Sequence, residues 1–259
     1  RRRGRAHPFR PMIAVLRSAL FLLLATLITA PFGLLITLAV VLPMRSRFAL
    51  IAAWRRLFMA LCAGVLGIRY RVVGAENIPS QPAVILRRHE SAWETVALQD
   101  IFPDQVFVLK KSLLYIPFMG WAFAAVRMIS IDRSAGRDAL RQVVRQGVER
   151  LQAGYWVTIF PEGTRLAPGE TRRFKTGGGH LAVKSGAPIV PVAHNAGDLW
   201  ARNAFVKRPG TVTVSIGPAI DPAGKTAEEV TALAERWITA EMARIAPQRA
   251  PAGGHAPSA

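Results

Sequence analysis

The sequence predicts an α/β fold: a mixed, partly parallel sheet flanked by helices, preceded by an N-terminal helical membrane anchor. Three observations carry that expectation. Residues 18–44 run for 27 positions without a charge. From Gly67 onwards, short apolar runs alternate with stretches of helical period. The most distinctive polar segments each follow a strand-like run, at the strand ends where open α/β sheets place their functional loops.

Composition narrows the partners. The 34 Lys+Arg against 16 Asp+Glu give a formal charge of +18, yet 51% of the 259 residues are hydrophobic. A nucleic-acid binder would account for the charge but not for the apolar excess, and no basic patch is interleaved with aromatics. An anionic membrane surface accounts for both. Cys62 is the sole cysteine, which excludes an internal disulfide, fits a reducing compartment and reads as a packed thiol between Leu61 and Ala63. The chain has no GxGxxG, no P-loop and no Cys/His cluster spaced for a metal.

Residues 1–17, with Arg1, Arg2, Arg3, Arg5, Arg10 and Arg17, form a basic arm, either a solvated tail or a binder of lipid headgroups. Residues 18–68 are the anchor. As one helix, residues 18–44 would be about 40 Å long, more than the roughly 30 Å hydrocarbon core needs. Pro31-Phe32-Gly33 divides them, so either a kinked helix crosses the bilayer or a hairpin turns there and returns, with flanking arginines favouring both ends on the cytoplasmic side. Residues 47–68, with Trp54, Arg55 and Arg56, suit a helix lying among headgroups.

An α/β domain follows over residues 69–247. Strands are expected at 70–73, 83–86, 105–109, 128–131, 155–160, 188–193 and 211–216. Helices are expected from Ala92, over 116–126, over 137–152 with Leu140, Val143, Val144, Val148 and Leu151 on one stripe, from Gly177 to Ser185, and over 227–245. Residues 248–259, rich in Pro, Ala, Gly and Ser, read as a disordered tail.

Two segments carry chemistry. In Arg87-Arg88-His89-Glu90-Ser91-Ala92-Trp93-Glu94, His89 has the residue type of a general base and Glu94 that of its orienting acid. Five residues turn a continuous helix by about 500°, so the two meet only if the helix starts after His89. Ser91-x-x-Glu94 is a helix-start signature that permits this, and it leaves a rival role open, in which Glu94 caps Ser91 and His89 is a loop residue. Phe160-Pro161-Glu162-Gly163-Thr164-Arg165 combines a tight turn with polar groups and a guanidinium fork suited to phosphate. Arg133 ends the Ser130-Ile131-Asp132 strand, and Lys110-Lys111 end another.

His89 with Glu94, Ile131-Asp132-Arg133, the Phe160 to Arg165 run and Ile189-Val190-Pro191-Val192 resemble, in order and spacing, the four motifs of the glycerolipid (lysophospholipid) acyltransferases. Within that family the 1-acyl-sn-glycerol-3-phosphate acyltransferases are most similar. The motifs span about residues 70–220; the FPEGTR run is the most specific and the Ile-Val-Pro-Val run the least. Glu94 departs from the family pattern, which usually has Asp there.

The resemblance implies acyl transfer from a thioester to the free hydroxyl of a lysophospholipid, making phosphatidate. His89 would take the hydroxyl proton and Glu94 would hold the ring. Arg133 and Arg165 would grip the phosphate, with Lys110 adding to that pocket, while Glu162, Gly163 and Thr164 shape the glycerol site. It implies no metal and no bound cofactor, with acyl-CoA or acyl-acyl carrier protein as co-substrate. The partners would be membrane lipids and the lysophospholipid, not nucleic acid. The catalytic domain would face the cytoplasm, at the inner membrane in a bacterium. An acyltransferase for another lysolipid, such as lyso-ornithine lipid, and a non-catalytic membrane lipid-binding protein are the alternatives.

Overall fold

A computed structural model describes residues 9–132 and 134–249 of the chain. The apolar runs pair into one seven-stranded sheet: β1 (Ile68–Val73), β2 (Val84–Arg87), β3 (Gln105–Lys110), β4 (Ile129–Ile131), β5 (Trp156–Ile159), β6 (Ile189–His194) and β7 (Gly210–Ile216). Their spatial order is β1-β7-β6-β2-β5-β3-β4. All neighbours are parallel except β6 and β7. The central strands are buried along their whole length because helices cover both faces, as parallel strands require. Strands β6, β2, β5, β3 and β4 all run the same way. Their carboxyl ends therefore share one edge, which carries His89, Lys110, Asp132, Glu162 and His194.

The helices among the described residues are α1 (Phe9–Leu38), α2 (Met44–Leu61), α3 (Trp93–Ile101), α4 (Met119–Ala125), α5 (Arg137–Gln152), α6 (Gly177–Ser185), α7 (Ala196–Leu199) and α8 (Ala227–Ile245). The period of two in β2 divides the core between the faces: Val84 and Leu86 join the cluster with α5, α6 and α8, and Ile85 joins the one with α2 and α3. The Gly177-Gly178-Gly179 opening of α6 reflects close approach, since a Cβ on Gly179 would lie 2.1 Å from the Ala227 carbonyl oxygen. Helices α5, α6 and α8 begin and end where the sequence places them. Helix α4 is shorter than expected. Pro117 disfavours helix at Ile116, which is extended, so residues 111–115 form a separate 3-10 turn. The four-residue α7 carries too little pattern to be foreseen.

The anchor is a hairpin whose turn lies away from Pro31. Helix α1 continues through Pro31 to Leu38, and the chain reverses over residues 39–43. Contacts at Thr29–Trp54, Phe21–Phe58 and Arg17–Val65 show α2 running antiparallel to α1. Arg47 fixes the turn by donating to the carbonyls of Ala39, Val40 and Leu42, just beyond the end of α1. Its Nη1 also reaches the Ala125 carbonyl at 2.5 Å, tying the turn to α4.

One face of the hairpin lies along the α/β unit. Phe21 packs edge-on to Trp200, with ring centroids 5.3 Å apart, and Arg55 pairs with Asp100 at 3.0 Å. Arg55 is thus a staple to α3 and not a headgroup-facing residue. The opposite face exposes Leu16, Leu20, Leu23, Leu27, Leu34 and Leu38. Both hairpin helices are long and apolar enough to cross a membrane, and their exposed face is apolar, as a membrane segment requires.

Arg10 and Arg17, placed in the basic arm by composition, lie on α1, and Arg17 bonds to the Val65 carbonyl. Gln248 and Arg249 likewise belong to a 3-10 turn, Pro247–Arg249, and not to a tail. Residues 1–8 of the arm, residues 250–259 of the tail and Arg133 lie outside the described residues.

Candidate active site

The loop between β2 and α3 builds the first half of the site. Because α3 starts at Trp93, after His89, the Glu94 side chain can turn back onto the histidine. Glu94 Oε1 lies 2.6 Å from His89 Nδ1 and accepts the Glu90 N–H at 3.0 Å, while Oε2 accepts the Ser91 N–H at 2.8 Å. The two roles left open by the sequence are therefore one arrangement: a single carboxylate orients the imidazole and ties down the helix start. The loop is further held by the Leu166 N–H, which donates to the His89 carbonyl at 2.8 Å. Phe160 stacks on the imidazole with centroids 3.7 Å apart.

Burial and the neighbouring groups act in opposite directions on Glu94. Burial pushes Glu94 up to about 7, opposed by His194, by Arg87 and by the two backbone N–H groups. His194, at the buried end of β6, donates from Nε2 to the Arg88 carbonyl at 2.9 Å and lies 3.4 Å from Glu94 Oε2. Burial holds its pKa below the ordinary histidine value, so it stays neutral there. Arg87 is fully buried, 4.5 Å from the Phe160 ring and 5.0 Å from the Phe107 ring, and donates to the Glu94 carbonyl at 3.0 Å. Burial lowers its pKa to about 9, which leaves it a cation at neutral pH.

The turn after β5 forms the second half. Gly163 has φ +73°, the left-handed conformation that favours glycine. Glu162 is buried; its Oε1 accepts the His89 N–H at 3.4 Å, and Oε2 has no hydrogen-bond partner among the described residues. Burial pushes its carboxyl up to about 7. Thr164 and Arg165 are half-buried at the rim. The Arg165 guanidinium makes no ion pair among the described residues, although its carbonyl accepts from Arg202 at 2.9 Å. Lys110 is exposed at the end of β3 near Asp132, whose carboxyl is held below its ordinary value first by Ser134 and then by Lys111 and Lys110. Beside this turn lies a cavity of about 290 Å³, lined by Val108, Leu140, Val143, Ile159, Phe160 and Lys175 among others.

The structure thus gathers His89, Glu94, Glu162, Gly163, Thr164, Arg165 and Lys110 along one sheet edge. It adds residues that the sequence does not single out for the site. Arg87 and His194 back Glu94, and Lys175 lies over the turn, its Nζ 3.3 Å from where a Cβ on Gly163 would be. The register of β2 with β6, Arg87 opposite Val192, is what brings His194 behind the loop. His180 stays outside, on α6, 3.8 Å from Glu228.

This constellation has known counterparts. A profile of the Acyltransferase family matches residues 69–195. A protein of Pseudomonas aeruginosa named 1-acyl-sn-glycerol-3-phosphate acyltransferase is 44% identical over 240 residues, 91% of this chain and 93% of that relative. The chain belongs to the acyltransferase family. It is an O-acyltransferase, and the family expected from its motifs is the one found. A Saccharomyces cerevisiae protein of the same name is 33% identical over 72% of this chain and 63% of its own length. The crystal structure of the 1-acyl-sn-glycerophosphate acyltransferase from Thermotoga maritima has the same fold, with a TM-score of 0.77 at 23% identity over 95% of this chain and 100% of that one. The acyltransferase fold thus includes the N-terminal hairpin as well as the sheet.

Proposed function

We propose that this acyltransferase moves a fatty acyl group from an acyl thioester to the free hydroxyl of 1-acyl-sn-glycerol-3-phosphate, making phosphatidate for phospholipid biosynthesis. The observation that carries this reading is the 2.6 Å contact between His89 Nδ1 and Glu94 Oε1. With Nδ1–H committed to the carboxylate, Nε2 is the proton acceptor. The hydroxyl oxygen attacks the thioester carbonyl as its proton passes to Nε2. The tetrahedral intermediate collapses, the C–S bond breaks, and the departing thiolate takes that proton to leave as the thiol. Glu94 stabilises the imidazolium in between.

The open half supplies recognition. Arg165, with Arg133, Lys110 and Lys175, offers cations for the phosphate, Arg165 as a planar fork. Glu162 Oε2, buried without a partner among the described residues, is placed to accept from a glycerol hydroxyl, and Thr164 adds a second polar group. The cavity beside Phe160 suits an alkyl chain. No bound cofactor takes part; acyl-CoA or acyl-acyl carrier protein serves as co-substrate. Both carriers are cytoplasmic, and a hairpin that returns to its starting side keeps the sheet edge on that face of the membrane.

The test is a panel assay of purified, detergent-solubilised protein with both donors and with lysophosphatidate, lysophosphatidylglycerol and lyso-ornithine lipid. Lysophosphatidate is expected to be preferred at least tenfold. Equal rates across the panel would remove the phosphate assignment, and no turnover with any lysolipid would remove the enzyme reading.

A further inference from the structure

Behind His89 lies a buried cluster of charges that the acyl-transfer step does not use directly. Glu90, the next residue, is fully buried, and Arg88 Nε approaches its Oε1 at 2.8 Å. A second cation comes from the far end of the chain: Arg249 Nη1 lies 2.9 Å from both Glu90 oxygens. Arg249 Nε contacts Asp198 Oδ1 of α7 at 2.7 Å, and Gln248 Nε2 donates to Asp198 Oδ2 at 3.1 Å. The Arg249 side chain is only 10% exposed. Glycine at 197 makes the approach possible, because a Cβ there would lie 2.7 Å from Glu90 Oε2. Four segments meet in this cluster: the β2–α3 loop, α7, the chain after Leu166, whose Glu170 carbonyl accepts from Arg88, and the C-terminal turn.

The cluster is coupled to the dyad through the backbone, since the Glu90 N–H donates to the same Glu94 oxygen that holds His89. A buried ion pair contributes little net stability, because desolvation offsets most of the attraction. What it does supply is geometry: a carboxylate gripped at both oxygens cannot rotate, and the residue that bears it cannot shift. The family match ends at residue 195, so Arg249 lies outside the acyltransferase profile.

We propose that Arg249 is a positioning residue for acyl transfer: the C-terminal turn clamps Glu90 and thereby holds His89 on Glu94. This rests on the reading of His89 as the base. Arg249 also balances charge there. His89 is faced by Glu94 of α3, Glu162 after β5, His194 of β6, Arg87 at the end of β2, and Arg88 and Glu90 of its own loop. Removing Arg249 leaves one more unbalanced negative charge near the ring and favours the imidazolium.

The test compares His89→Ala, Arg249→Ala, Arg249→Lys and the double variant Glu90→Gln/Arg249→Ala in full-length, solubilised protein, at temperatures where circular dichroism shows each folded. Arg249→Ala is expected to lower kcat about 10- to 100-fold, the scale of a small misplacement of a catalytic group, with KM for both substrates within about threefold. Its acid limb in the pH profile of kcat/KM is expected to move up by about half a pH unit or more, and neutralising Glu90 in the double variant to return it. Arg249→Lys keeps the charge but not the fork, so its limb stays in place while kcat still falls; it carries the test should Arg249→Ala fail to fold. An Arg249 variant with wild-type kcat and pH profile, alongside an inactive His89→Ala, overturns the clamp alone. An active His89→Ala overturns the base reading and the clamp with it.

Discussion

The two halves of the site differ in how complete they are. Around the β2–α3 loop the buried groups of the dyad are engaged: Glu94 meets His89, Glu90, Ser91 and His194, and Glu90 meets two arginines. Across the edge, Thr164 and Arg165 sit half-exposed, Lys110 is exposed, and Glu162 holds one buried oxygen without a partner among the described residues. The difference separates two tasks. A base must be oriented before substrate arrives, because reorganisation during the reaction would add to the barrier. Anion-binding groups must instead keep donors for the ligand to satisfy.

The strongest way to break this comparison is to empty the preassembled half. His89→Ala is expected to lower kcat by about 10³- to 10⁴-fold with the fold intact, measured by steady-state assay and circular dichroism. Retention of a tenth of the activity would mean that the proton goes elsewhere. Glu94→Gln is next, at about 10²- to 10³-fold. The amide keeps the size of the side chain but presents either a neutral acceptor or a clashing donor to Nδ1–H, and no longer stabilises the imidazolium. An effect on KM alone would reassign Glu94 to the helix start.

Much of the preassembled half was legible, and the reason lies in local pattern. His89 and Glu94 are five residues apart in one loop, so their meeting depended only on where α3 begins. That Glu94 serves both imidazole and helix start could not be read, because the two roles call for the same residue at the same place. His194 and Arg249 lie 106 and 159 residues from the groups they touch. Only the order of strands in the sheet brings the first to the loop, and the second sits in a segment whose composition resembles a tail. The hairpin shows the opposite failure. Pro31-Phe32-Gly33 is a strong local breaker, yet α1 runs through it, and the reversal occurs where Arg47 can donate to the carbonyls of Ala39, Val40 and Leu42.

The open half is sharpened by a change that should leave chemistry alone. Arg165→Ala is expected to raise KM for lysophosphatidate about 10- to 100-fold while kcat at saturation changes by less than about threefold, as loss of a charge-assisted phosphate contact implies. The acyl-donor KM should stay constant. A fall in kcat with unchanged KM would place Arg165 in the preassembled half instead.

Glu162 straddles the division, and its titration says to which side it belongs. Burial lifts Glu162 from its ordinary 4.5 to about 7, and Glu94 moves in the same direction. A carboxyl whose pKa is higher folded than unfolded favours folding fully below the unfolded value, and that contribution is lost as pH rises through about 7. The protein should therefore weaken between pH 4.5 and pH 8. Glu162→Gln stays neutral throughout, so its stability relative to wild type should improve by roughly 2 kcal/mol between pH 5 and pH 8, read from denaturant midpoints in one detergent. The improvement should shrink when lysophosphatidate is present, because a hydroxyl donating to Oε2 stabilises the carboxylate. An unchanged gap across the pH range would mean that Glu162 is already compensated in the empty site and is not held open for a ligand.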